Sequence, residues 1–226
     1  MLLTKEELEL LKNIPNFKFT ESKVLYKGTA IPSKLFPIND KKNMRIFYVG
    51  NTEEIQDEPL LEDIFNNVEM NIGHCYTNCK NIVEECLLKN IQDIVPYVGW
   101  VSVSSTRLIH HCWLVYKGKH IIDGSAYVNI FNEVYSKITN NISMDEVRKL
   151  MVDFHFKVKN MPNSSKYVFG RALNYYIYVG SPCSPNDGIA IFQKLMKEFP
   201  KHPSYLNISS DGSNKLQRMI LKQESK

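Results

Sequence analysis

The 226-residue sequence has no apolar stretch close to the ~20 residues that a membrane-spanning helix needs. It also has no long run of lysine and arginine, and its net charge is only +4, from 28 basic and 24 acidic residues. Dedicated nucleic-acid binding is therefore not expected. Charges at Lys5, Glu6 and Glu7 interrupt any signal-peptide core. We expect a cytoplasmic protein without membrane association.

Several motifs that mark common enzyme classes are missing as well. No phosphate-binding Gly-x-x-x-x-Gly-Lys-Ser/Thr or dinucleotide-binding Gly-x-Gly-x-x-Gly occurs, and no Gly-x-Ser-x-Gly indicates a serine hydrolase. Nothing in the sequence therefore implies a cofactor. Hydrophobic residues make up 43% of the chain and charged residues 23%, which is ordinary for a globular protein. We expect one domain over residues 1–207 and a basic, loosely ordered tail at 208–226.

The cysteines are too few and too unevenly spaced for a disulfide framework. Their number is odd, and no secretion signal accompanies them. The five are Cys75, Cys79, Cys86, Cys112 and Cys183. Histidines lie beside some of them, but gaps of three and six residues between the first three differ from the closely paired ligands of structural zinc sites. The sequence therefore predicts no metal site.

The pattern of apolar and capping residues predicts an α+β protein. A capping box at Thr4 and Glu7 begins one predicted helix, and another at Ser143 and Glu146 begins a later one. Helices are predicted at 5–13, 59–69, 75–89, 144–156 and 187–198. Strands are predicted at 22–27, 44–49, 96–104, 107–116, 119–123 and 172–179, with 29–43 as a loop. Helices and strands are largely segregated, which favours an antiparallel sheet.

Cys75 is the first candidate functional residue, because it falls in the first turn of the helix predicted at 75–89. A helix N-terminus lowers the pKa of a thiol, and its free N–H groups can bind a developing oxyanion. Cys75 also begins the apolar stripe of that helix, so a role as a small core residue is the alternative. Cys79 and Cys86 lie deeper in the helix and are predicted to be core.

His111 and Asp123 form the second candidate group, on a predicted hairpin. If the turn contains Tyr116, Lys117 and Gly118, Val115 pairs with Lys119 and His111 lies opposite Asp123. Asp123 could then orient His111 as the third member of a catalytic triad. A two-residue turn would place Asp123 on the face of His110 instead. A half-buried His–Asp contact with no catalytic role is the other alternative.

Four short motifs together resemble the papain-like and transglutaminase-like cysteine enzymes, and most closely a group of phage and bacterial proteins. The motifs are Cys75-Tyr76-Thr77-Asn78, Tyr97-Val98-Gly99-Trp100, His111-Cys112-Trp113 and Ile121-Ile122-Asp123, with a later Tyr-x-Gly at Tyr178–Gly180. The resemblance covers residues 73–125 and implies a papain-like α+β fold, in which a central helix carrying the cysteine packs on an antiparallel sheet.

The resemblance implies that Cys75 is a nucleophile, His111 a general base and Asp123 the orienting carboxylate. The implied activity is a hydrolase or acyltransferase that acts on an amide, ester or thioester of a small molecule or peptide. Cys112 stands where the group usually has Ala, and Gly124 where it has Pro. No Gln precedes Cys75 within 67–74, and Asn71 is the nearest substitute. The candidate oxyanion and substrate-binding residues are Asn71, Asn78, Trp100 and Trp113.

These departures keep a second function open. A non-catalytic binding protein, of a viral or phage accessory or inhibitor type, could use the same cleft to hold a ligand or partner. In that case the host cytoplasm would be its compartment. The sequence gives neither the substrate nor the oligomeric state.

Overall fold

The secondary structure comes from a computed structural model, which describes residues 17–19, 23–26, 29–32, 43–71, 73–103, 107–128, 142–174, 176–198 and 222. The helices are α1 (Pro59–Asn67), α2 (Cys75–Leu88), α3 (Met144–Val158), α4 (Asn163–Lys166) and α5 (Pro185–Glu198). A small antiparallel sheet contains β1 (Phe17–Phe19), β2 (Lys23–Tyr26) and β3 (Thr29–Pro32). The larger sheet contains β4 (Arg45–Phe47), β5 (Ile94–Val103), β6 (Arg107–Tyr116), β7 (His120–Tyr127), β8 (Tyr167–Gly170) and β9 (Tyr176–Pro182).

The larger sheet is antiparallel throughout, with the strand order β4-β9-β5-β6-β7-β8. Strands β5 and β6 pair over their whole length. Strands β6 and β7 pair only where Leu114, Val115 and Tyr116 face Ile122, Ile121 and His120. Beyond that point β6 continues along β5 and β7 along β8. The two strands therefore diverge, and α2 contacts both of them.

The two faces of the larger sheet bury two different clusters, because alternate side chains on a strand point in opposite directions. On one face, α2 packs Cys79, Ile82 and Cys86 against Cys112 and Leu114 of β6. The other face encloses a largely aromatic cluster: Phe47, Tyr97, Val101, Trp113, Val115, Ile121, Ala126, Val168, Ala172, Tyr176 and Tyr178. The sheet curls around this second cluster. In the part of the chain that the structure describes, no helix combines the length and apolarity that crossing a membrane requires.

The α+β class predicted from the sequence is confirmed, and so are several of its elements. Helix α2 begins at Cys75, as the apolar stripe predicts. The capping box at α3 is present: Glu146 N donates to Ser143 Oγ (3.2 Å), and Ser143 N donates to Glu146 Oε2 (2.7 Å). The helix predicted at 5–13 lies outside the described residues, as does the tail at 208–226 apart from residue 222.

Three predicted boundaries are wrong. Residues Thr29–Pro32, assigned to a loop, form β3 and pair with β2. Strand β8 was not predicted, because four residues directly after a one-turn helix are too short for a periodic pattern. The last strand occupies 176–182 rather than 172–179. A turn precedes it, in which Tyr176 N donates to Leu173 O (2.9 Å).

The hairpin between β6 and β7 has a different register from the predicted one. Val115 pairs with Ile121 and not with Lys119. Lys117 (φ 48°) and Gly118 (φ 71°) both adopt left-handed backbone conformations, as the central residues of a type I′ turn do. The register moves by two residues, so Asp123 keeps the face predicted for it. Continued along the strands, this register places Asp123 opposite Trp113, which lies two residues from His111 on the same face of β6.

Candidate active site

Cys75 is the first residue of α2, and it is buried with 8% of its surface exposed. His74 caps the helix without a side-chain hydrogen bond, and Asn78 N donates to His74 O (2.8 Å) to close the first turn. The first N–H groups of a helix have no partner within the helix, and the helix dipole places partial positive charge there. This thiol therefore lies where a negative sulfur or oxygen atom is favoured.

Asn78 fixes the position of this helix terminus. Its Nδ2 donates to Asn71 O (2.9 Å), to Gly124 O (3.1 Å) and to Ser125 Oγ (3.0 Å), and its Oδ1 accepts from Asn71 N (3.0 Å). The side chain is 1% exposed. Asn78 is one of the residues that the sequence suggested for substrate or oxyanion binding. Its amide is occupied in joining α2 to the preceding loop and to β7.

His111 lies in the gap between β6 and β7 and connects Cys75 to Asp123. Its Nε2 is 2.8 Å from Asp123 Oδ2, and its ring is also hydrogen-bonded to the Cys75 thiol. Burial lowers the pKa of His111, but the charge of Asp123 and the contact with Cys75 outweigh this and hold that pKa well above its usual range. The protonated imidazole is therefore the favoured form.

Asp123 is completely buried and accepts hydrogen bonds from three elements of structure. In addition to His111, Tyr178 Oη donates to its Oδ2 (3.0 Å) and Ser125 N to its Oδ1 (2.9 Å). Neither of these donors is among the site residues predicted from the sequence. The Tyr-x-Gly motif at Tyr178 was the one pattern that could have indicated the first of them.

His110 occupies a different environment from that of its neighbour, which settles the alternative left open by the sequence. The Tyr76 hydroxyl is hydrogen-bonded to His110 Nδ1. The Trp100 ring lies edge-on to the imidazole at 5.0 Å, and the Phe192 ring stacks on it at 5.7 Å. Only 4% of His110 is exposed, so this histidine belongs to the packing between α2, α5 and β6.

The two tryptophans expected to line a substrate cleft are buried. Trp100 is 1% exposed and packs on His110, while Trp113 is completely buried and stacks nearly parallel to His111 (6.4 Å, 14°). A Cβ atom on Gly180 would lie 2.5 Å from Trp113 Cη2, so a glycine at 180 makes room for the indole. Both indole rings therefore pack in the core of the described structure. Trp113 also supports the ring of His111.

Asn71, the remaining candidate, is exposed and adjoins the start of α2. Its backbone N and O are both bonded to the Asn78 side chain. The loop that precedes Cys75 is thereby held in place.

The thiols of Cys79 and Cys86 belong to the core, as predicted. Burial and a hydrogen bond with Cys112 raise the pKa of Cys79 well above its ordinary value, and burial raises the pKa of Cys86 to about 11. Both thiols therefore stay protonated at neutral pH. Among the residues that the structure describes, no three or more His, Cys, Asp and Glu side chains form a group suited to a metal ion.

Comparisons of the chain with protein-family models, with curated proteins and with solved structures find no match. The chemistry of the site is therefore inferred from its own side chains.

Proposed function

We propose that this chain is a papain-like, cysteine-dependent hydrolase or acyltransferase of the cytoplasm, acting on an amide, ester or thioester through an acyl-enzyme. The observation that carries this proposal is the continuous hydrogen-bonded series Cys75–His111–Asp123 at the N-terminus of α2. A nucleophile, a base in contact with it and a group that orients the base together make up the arrangement used in covalent catalysis.

The first chemical step is attack by Cys75 on a carbonyl carbon. In the reacting pair the Cys75 proton has already passed to His111, in agreement with the favoured imidazolium. The thiolate forms a bond to the carbon while the carbonyl oxygen becomes an oxyanion. Collapse of this intermediate expels the amine, alcohol or thiol, which receives its proton from His111. Water or an acceptor nucleophile then attacks the thioester, giving its own proton to His111, and Cys75 is released.

The developing oxyanion is best stabilised by the N–H groups at the start of α2. These groups and the positive end of the helix dipole lie beside the sulfur atom. Asn71, exposed in the adjoining loop, carries a side-chain amide that we propose assists them in place of a preceding glutamine. We propose a small molecule or a peptide as the substrate.

The pH dependence of iodoacetamide labelling at Cys75 tests the proposal, with each labelled cysteine identified by peptide mass spectrometry. In the wild type we expect Cys75 to be labelled much faster at pH 6 than the core thiols Cys79 and Cys86, because His111 is in contact with its sulfur atom. His111→Ala should slow labelling at pH 6 by roughly tenfold or more, because a hydrogen bond to a charged group contributes ~1.5–3 kcal/mol.

His155→Ala is the matched control. His155 is half-buried and hydrogen-bonded to Tyr127 Oη (2.9 Å), and it takes no part in the Cys75 series. Its removal should leave Cys75 labelling unchanged. If Cys75 of the wild type labels as slowly as Cys79 and Cys86, the enzyme proposal is wrong, and the non-catalytic binding protein replaces it.

A further inference from the structure

Tyr178 is the least expected partner of the site, because it reaches Asp123 from another part of the sheet. Tyr178 lies on β9 and Asp123 on β7, and strands β5 and β6 separate them in the sheet order. The curl of the sheet nevertheless brings Tyr178 Oη to 3.0 Å from Asp123 Oδ2. We infer that Tyr178 is a positioning residue, which fixes the Asp123 carboxylate and limits the negative charge that it presents to His111. This inference rests on the proposed function.

The geometry places two donors on one oxygen atom. His111 Nε2 and Tyr178 Oη both bind Oδ2, at 2.8 Å and 3.0 Å, while Ser125 N occupies Oδ1 at 2.9 Å. With both oxygens held, the carboxylate cannot rotate without breaking a bond to the backbone or to the tyrosine. Because His111 is bound to this carboxylate, Asp123 fixes the orientation of the imidazole ring relative to Cys75.

Tyr178 remains a neutral donor throughout the pH range of the reaction. Its ring is completely buried. Burial and the nearby charge of Asp123 raise the pKa of the phenol well above its ordinary value. A phenol in this state can give a hydrogen bond to Asp123 but can neither accept the proton of His111 nor add a charge to the site.

Because Tyr178 and His111 bind the same oxygen of Asp123, Tyr178 also affects the protonation of His111. A donor to the carboxylate stabilises it most when His111 is neutral, because an imidazolium already compensates part of the charge. Tyr178 therefore favours the neutral imidazole and opposes the strong increase that Asp123 and Cys75 produce in the pKa of His111. The best acid–base catalysts have pKa values near the working pH. A histidine that accepts a proton from Cys75 and then gives it to a leaving group therefore needs a pKa that is not raised too far.

Other titratable groups also lie near Asp123 and His111 and act on the titration of His111. Cys75 and Cys79 approach from α2, Tyr167 from β8 and Tyr176 from β9. Tyr176 is 5% exposed, and its ring stacks on that of Tyr178 at 5.8 Å in the same cluster. It therefore provides a matched hydroxyl for comparison.

NMR titration of His111 tests the inference, in protein labelled at the imidazole and with its resonance assigned by its loss in His111→Gln. In Tyr178→Phe we expect a His111 midpoint higher than that of the wild type by roughly 0.5–1 pH unit, the scale on which one hydrogen bond moves a buried pKa. In Tyr176→Phe the midpoint should stay at the wild-type value. A midpoint that is unchanged or lower in Tyr178→Phe overturns the inference.

Fluorotyrosine at position 178 provides a second test, should Tyr178→Phe fail to fold. It keeps the shape of the ring but is a more acidic phenol and a stronger donor, so the His111 midpoint should fall. A rise would contradict the inference. In an Asp123→Asn background, Tyr178→Phe should no longer change the midpoint, and a change as large as in the wild type would show that Tyr178 acts by another route.

The titration does not depend on turnover, so the two proposals can fail separately. If the midpoint moves as expected while Cys75 labels slowly, Tyr178 positions Asp123 in a site that is not catalytic. If Cys75 is reactive and dependent on His111 but the midpoint does not move, the proposed function stands without Tyr178.

Discussion

At the scale of single residues, the most consequential feature is a carboxylate with no access to solvent. A buried charge is destabilising unless it is paired and hydrogen-bonded. Asp123 satisfies this condition through an imidazole, a phenol and a backbone N–H. Of the two turns that the sequence left open, the three-residue turn gives Asp123 the face that the structure shows. The strand pattern had no means of showing that Tyr178 would reach Asp123 from a strand three positions away.

Asp123→Asn removes the charge without changing the shape of the side chain. Because Asp123 raises the pKa of His111, the variant should lower that pKa and leave less imidazolium to pair with the Cys75 sulfur. We expect iodoacetamide labelling of Cys75 at pH 6 to fall by about tenfold or more. Asp187→Asn, at an exposed carboxylate on α5, is the control and should label as the wild type does. Equal labelling in the two variants would contradict the prediction.

At the scale of secondary-structure elements, α2 contributes both the nucleophile and a large part of the core. Its start was predictable, because the apolar stripe begins at Cys75 and a glycine precedes it. Its attachment was not, because Asn78 was assigned to the substrate and turned out to bind the preceding loop and β7. An asparagine in the first turn of a helix has the same sequence pattern in both roles, and the difference depends on what the tertiary fold brings to its amide.

Asn78→Ala should loosen the N-terminus of α2. The substitution removes four hydrogen bonds and leaves the backbone of Asn71 and the carbonyl of Gly124 without their amide partner. We expect a loss of roughly 2–3 kcal/mol in the free energy of unfolding, which corresponds to about 5–10 °C in melting temperature for a chain of this size.

Thr77→Ala, at the exposed neighbouring position, is the control for this change and should stay within about 0.5 kcal/mol of the wild type. Thermal and denaturant unfolding measure both variants. If Asn78→Ala is as stable as Thr77→Ala, Asn78 does not have the bracing role that its four contacts indicate.

At the scale of the whole molecule, stability should fall in alkaline solution, because the fold keeps several thiols and phenols protonated. Burial raises the pKa of Cys86 to about 11, whereas an unfolded chain releases a thiol proton near pH 8.5. The stabilisation from the protonated thiol is complete below pH ~8.5 and is lost as the pH rises towards 11.

Cys86→Ala should therefore give a shallower loss of unfolding free energy between pH 8.5 and 11 than the wild type shows. Ile82→Val trims the same buried face of α2 one turn earlier without removing a titratable group. Its stability curve should run parallel to that of the wild type. Denaturant unfolding across this pH range measures all three proteins, and parallel curves for the wild type and Cys86→Ala would exclude Cys86 as a source of the slope.

The positions of the six larger-sheet strands show where sequence-based prediction of the whole fold stops. The long pair β5 and β6 was predicted well, because each has ten residues rich in β-branched and aromatic side chains. The short β8 was missed, and the hairpin register was wrong by two residues because two turn geometries preserve the same alternation. The first error concerns pairing with a distant segment, and the second a choice between two turns that the local pattern does not distinguish.

Strand β9 comes last in the larger sheet along the chain, yet it lies between β4 and β5. A ribosome therefore synthesises Cys75, His111 and Asp123 more than 50 residues before the strand that completes their sheet. Until β9 emerges, β4 has no neighbour to join and one edge of β5 stays open, and such edges are where nascent chains associate wrongly. The three side chains proposed for catalysis are thus synthesised before the sheet that positions them is complete. During this interval the growing polypeptide contains the residues of its site but not the fold that brings them together.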